Sequence, residues 1–210
     1  MIRLLAAYDD NDDELGDYLE LCFQDFNMFL KEANDTILVS LNGLMCTEEQ
    51  IEAAVTSFDN KRFIFLGFSH GDNNCLETVN DVFVSSNNSS LFSNSLFYTC
   101  SCLSGIDLGP ELIAKNCSTY IGYNTSFIVI EDYSKYFIEC KTSGIKKFLR
   151  SDLTIKQSFD FMLKKYQDVI DNLVKGTADE FIAASNLRKN MKGLIFLGNE
   201  DLIVKDFFAA

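Results

Sequence analysis

The chain has 210 residues, with 18 Lys and Arg against 31 Asp and Glu, and a formal net charge of −13. That length suits one domain with a substantial core, and 47% hydrophobic with 23% charged residues is the balance of a soluble globular protein. So acidic a chain, without a basic run, is a poor partner for nucleic acid, whose own charge is densely negative, and no basic amphipathic stretch favours an anionic membrane surface. The short apolar patch at the start meets acid at once, unlike a signal peptide, and no apolar run approaches the length of a bilayer span. Cys22, Cys46, Cys75, Cys100, Cys102, Cys117 and Cys140 are an odd set without a compact secreted framework; reduced thiols in a cytoplasmic location are expected.

In chain order, Ile2 to Ala7 reads as a buried strand. Leu15 to Lys31 repeats apolar residues at helical spacing. Thr36 to Leu41 is a second strand, and Asn42-Gly43 a turn. Thr47 caps a helix to Phe58, with Glu48 and Glu49 in its first turn, where carboxylates suit the helix dipole. Arg62 to Phe68 is a third strand and Val82 to Ser86 a short one. The polar stretch 80–95 reads as a surface hairpin or a mobile flap. Ser95 to Cys100 is a core strand, Leu108 to Lys115 a short helix, Thr119 to Tyr123 a strand, and Phe127 to Ile130 either strand or helix. Helices are expected from Ser134, from Ile155 to Leu173, and from a capping box at Thr177 and Glu180 to about Lys189. Residues 193–204 return to strand. Strand–helix alternation in the first half implies parallel pairing with helical crossovers.

In such sheets chemistry gathers outside the carboxyl ends of the strands. Two strands end in reactive residues. "FIFLGFSHGD" delivers His70, the only histidine in the chain, and "SLFYTCSCLSG" delivers Cys102. The intervening chain is long enough for one crossover, so both side chains are expected in one crevice. An imidazole beside a thiol favours the thiolate and supplies a proton to a leaving amine. The amides of Gly71 and Cys102 are placed to hold an oxyanion. Cys100 competes as nucleophile, because residues two apart on a strand face the same side.

The paired motifs resemble those of the caspase-like, clan CD cysteine peptidases, nearest to the CHAT and gingipain-like group: an apolar strand ending in His-Gly, then one ending in a small residue and Cys, followed by x-Ser-Gly. "LGPELIAKNCSTYIGY" and "FLGNEDLIV" resemble later elements of the same group. The resemblance implies a single caspase-like three-layer α/β domain spanning 1–210, a mainly parallel central sheet and helices on both faces. It implies a cysteine endopeptidase with Cys102 as nucleophile, His70 as acid/base, and Gly71 and Cys102 as oxyanion donors. Position before x-Ser-Gly selects Cys102 over Cys100. A protein or peptide substrate is implied and no cofactor, with a bacterial defence or regulated-proteolysis role as one setting.

The pattern departs at Cys100, where metacaspases carry an acid that selects basic substrates. Asp72, Cys100 and Asp107 are the candidate substrate-binding residues. With neither propeptide nor cleavage linker, gating by a separate activating or sensor protein, through the 80–95 flap, is the expected control. Asp9, Asn11, Asp13, Asp17 and Glu20 fall at calcium-loop positions, but Glu14 replaces the required glycine. His70, Cys75, Cys100 and Cys102 match no compact zinc module, so no metal is expected. The rival readings are an idle caspase-like interaction module and a flavodoxin-like small-molecule binder; the latter lacks a Gly-rich phosphate loop.

Overall fold

Leu4 and Ala6 leave one side of strand β1 (Ile2–Tyr8) and Leu5 and Ala7 the other, and all four are fully buried. A strand apolar on both faces has to be covered on both faces, and the fold follows from that. The computed structural model describes residues 1–31 and 35–209.

Helix α1 (Gly16–Lys31), strand β2 (Thr36–Asn42), helix α2 (Glu48–Thr56) and strand β3 (Ile64–Phe68) come next. Strands β4 (His70–Asp72), β5 (Cys75–Glu77) and β6 (Val82–Val84) precede β7 (Leu96–Thr99), helix α3 (Leu108–Ala114) and β8 (Thr119–Tyr123). Helices α4 (Ser134–Leu149), α5 (Ile155–Leu173) and α6 (Ala178–Gly193) lead to β9 (Leu194–Gly198) and the short α7 (Val204–Phe207). The main sheet has six strands in the order β2-β1-β3-β7-β8-β9. Every pairing is parallel except β8 with β9. A second sheet, β4-β5-β6, is small and antiparallel.

Leu4, Ala6, Ile64, Leu66, Leu96 and Tyr98 face one core, closed by α1, α4, α5 and α6. Leu5, Ala7, Phe65 and Phe97 face the other, closed by α2, α3 and the small sheet. The protein is therefore an α/β domain with a mostly parallel mixed sheet flanked by helices on both sides. The two capping signals read from the sequence act as expected: Thr47 accepts from the Gln50 amide, and Thr177–Glu180 form a reciprocal capping box. Thr154–Gln157 form a second such box, not singled out from the sequence.

Three expectations change. Residues 127–130 form neither strand nor helix; their polar backbone is paired through a side chain, as described below. The strand expected over 193–204 stops at Gly198, whose φ of +96° lies in the left-handed region. The 80–95 stretch is neither a bare hairpin nor a free flap. Phe83, Val84 and Phe92 are fully buried, and the Phe92 ring packs 5.2 Å from Phe65 and 5.0 Å from Phe97. The polar spacing of that segment concealed three core anchors.

Candidate active site

Strands β3 and β7 lie side by side with Gly67 opposite Thr99. Three residues beyond that pair, on the same edge of the sheet, stand His70 and Cys102. Their loops are stitched together. The Ser69 and Ser101 hydroxyls lie 3.1 Å apart, and Thr99 Oγ1 lies 2.9 Å from Ser101 Oγ and 3.2 Å from the Gly67 carbonyl oxygen, with one proton to give to either. Gly71 fits beneath this stitching. A side chain there would bring its Cβ to 2.7 Å from Ser101 Cβ and 3.0 Å from the Cys102 carbonyl oxygen, so glycine permits the close approach.

His70 and Cys102 line one cavity of about 220 Å³, walled by Leu15 just before α1, by Tyr18 and Leu19 of α1, by Phe127 to Val129, and by Cys100 and Lys141. Of the seven thiols only Cys102 is partly exposed. Its sulfur accepts a hydrogen bond from the Phe127 amide at 3.1 Å. Its own amide N–H has no acceptor among the described residues, as an oxyanion donor requires. The next residue, Leu103, has φ +57°, a conformation a branched side chain adopts at a cost of about 1–2 kcal/mol. The chain turns sharply there, and the Leu103 amide is spent on the Thr125 carbonyl.

Cys100 lines the same cavity but is buried, and burial above all pushes its thiol up to about 11. At neutral pH it is a protonated thiol, a poor nucleophile. Asp72 and Asp107 are not among the residues that line this cavity. Asp72 is exposed and caps the Asn73 amide, while Asp107 is exposed at the start of α3.

Three residues not singled out from the sequence complete the site. His70 Nε2 lies 3.1 Å from Asp12 Oδ2, in the loop after β1. Burial alone would raise the Asp12 carboxyl, but the Leu15 and Glu14 amides and the His70 ring outweigh it and lower the net value. An ionised carboxylate only accepts, so Nε2 is the donor and the lone pair of neutral His70 sits on Nδ1. Asn190, buried on α6, holds the cavity wall. It accepts from the Ile128 amide at 3.0 Å and donates to the Ile128 carbonyl at 2.6 Å. Lys141, on α4, forms the third.

Asp12 was hidden inside an acidic run in which no member stands out. Asn190 carries no sequence signal. Lys141 did carry one: it occupies the helical position between Phe137 and Ile145 on an otherwise apolar stripe. The candidate calcium loop is used otherwise. Asp9 is buried and accepts from the Asn11 and Val79 amides, and Asp17 and Glu20 belong to α1. Among the described residues no three His, Cys, Asp or Glu side chains cluster as metal ligands, and no helix is long and apolar enough to cross a membrane. The sequence matches no protein-family model, and no curated protein matches it.

Proposed function

We propose that this chain is a caspase-like cysteine endopeptidase, with Cys102 as nucleophile and His70 as acid/base. The observation that carries the reading is the shared cavity: the single partly exposed thiol and the single histidine line it together, at the carboxyl ends of adjacent parallel strands.

The chemistry follows from the arrangement. Cys102 sulfur attacks the scissile carbonyl carbon, and the thiol proton passes to His70 Nδ1. The Cys102 and Gly71 amides face the developing oxyanion. The carbon–nitrogen bond breaks as His70 returns the proton to the leaving amine, and a thioester remains on Cys102. Water, deprotonated by His70, cleaves the thioester and restores the thiol. Asp12 acts as a positioning residue. It fixes the ring and its tautomer and stabilises the imidazolium that forms midway, the role a buried carboxylate has in hydrolytic triads.

The test is to incubate a cell-derived peptide library with the protein and with Cys102→Ala, and to sequence the new amino termini by mass spectrometry. Ends that appear only with intact Cys102 support the reading. No new ends with either protein would favour an idle interaction module.

A further inference from the structure

Lys141 is fully buried, and its ammonium has no oxygen or nitrogen acceptor and no carboxylate partner among the described residues; the Cys22 and Cys100 thiols, weak acceptors, are the hydrogen-bonding groups against it. The Nζ lies 4.4 Å from the Tyr18 ring centroid, 5.0 Å from Phe127 and 5.7 Å from Phe68. Cation–π contacts offset part of the desolvation, but a buried cation without an anion remains expensive. Two thiols, Cys22 and Cys100, adjoin it, and burial raises both, so at neutral pH they are uncharged. The nearby Asp25 carboxylate is engaged by Lys146 and Thr142. Tyr98 donates its hydroxyl to the Lys141 carbonyl, which fixes the backbone of α4 there.

This unpaired charge borders the cavity that holds Cys102 and His70, and most of the remaining lining is apolar: Leu15, Leu19, Phe127, Ile128 and Val129. An apolar sleeve with one cation is built for an anionic side chain. We infer that Lys141 makes this cavity the pocket for the residue preceding the scissile bond, and that the substrate there is Asp or Glu. The inference rests on the peptidase reading for its orientation. The attraction between carboxylate and ammonium does not, because it needs only the buried charge.

The rest of the molecule works against such a substrate. A net charge of −13 repels an acidic peptide at long range, but salt screens that repulsion beyond about 8 Å at physiological ionic strength. The buried Lys141 is screened far less, so short-range preference survives where long-range repulsion does not.

The experiment uses the full chain and acetylated tripeptide pools, each with two randomised positions, then one fixed residue bearing a fluorogenic amine. The fixed residues are Asp, Glu, Asn, Gln, Leu and Lys. Expected is at least a tenfold higher kcat/KM for Asp over Asn or for Glu over Gln. Lys141→Met, which keeps most of the side-chain volume, should bring that ratio near one. A faster Lys or Leu pool in the intact protein, which needs no variant to fold, overturns the inference and leaves the peptidase reading standing. So does an unchanged acid-to-amide ratio in a folded Lys141→Met. If no pool is cleaved, the same pools are tested for raising the melting temperature of Cys102→Ala. A preference for acidic pools supports the charge pocket and overturns only the peptidase reading; equal or absent shifts overturn the pocket.

Discussion

His70 Nε2 and Asp12 Oδ2 meet at 3.1 Å although 58 residues separate them in the chain. The contact joins the loop after β1 to the end of β3, two strands that pair directly in the sheet. It places a fixed negative charge behind the imidazole and reserves Nδ1 for chemistry.

Asp12→Asn keeps an oxygen acceptor for the Leu15 and Glu14 amides but removes that charge and frees the tautomer. Peptide hydrolysis should fall about a hundredfold, the scale of a misplaced catalytic group. Stability carries a separate signature. The Asp12 carboxyl is lowered in the fold, so its contribution is present above the ordinary carboxylate range, near pH 4, and is lost as pH falls through the lowered value. Urea unfolding of the wild type and Asp12→Asn should therefore differ at pH 6 and converge toward pH 3. A constant gap across that range would deny the ion pair any part in stability.

Thiol reactivity follows burial. Cys102 is partly exposed and the other six cysteines are buried, with Cys46 and Cys140 raised to about 12 chiefly by desolvation. Limiting iodoacetamide at pH 7.5 should modify one thiol quickly in the native protein. Peptide mapping should place it on Cys102; a first label on Cys100 would move the reactive centre to the buried thiol just past β7.

The 80–95 segment is part of the core, through Phe83, Val84 and Phe92. Phe92→Ala should cost about 3–5 kcal/mol of unfolding free energy, as for other buried aromatic truncations, measured by denaturant titration. A cost below about 1 kcal/mol would restore the segment to a loosely held flap. Gating through it would also require unpacking that ring, and none of its residues lines the cavity of His70 and Cys102.

Sequence patterning exposed the main sheet because each strand is locally consistent. Ile64 to Phe68 is apolar throughout and buried throughout, and the capping residues mark helix starts through bonds made within four residues. Of the small sheet only β6 was legible, as the short strand at Val82 to Ser86, and β4 and β5 were not, for the opposite reason. His70 to Asp72 and Cys75 to Glu77 are three-residue strands, too short for any period, and they exist because the Asp72–Cys75 hairpin pairs them. The site divides along the same line. His70, Gly71 and Cys102 announce themselves by standing at strand ends. Asp12 and Asn190 act through bonds to residues 58 and 62 positions away, and no local pattern encodes such partners. Lys141 was visible as a charge on an apolar stripe, but only the fold puts that stripe beneath the cavity.

The decisive comparison is kinetic, with wild type, Cys102→Ala, His70→Ala and Cys100→Ala assayed side by side on one cleaved peptide. Circular dichroism on each variant establishes that it is folded. Removing either member of the pair should lower kcat/KM at least about a thousandfold, while Cys100→Ala should retain activity within about tenfold. Undiminished turnover by Cys102→Ala, or by His70→Ala, would show that the cavity shared by these two side chains is not where peptide bonds are broken.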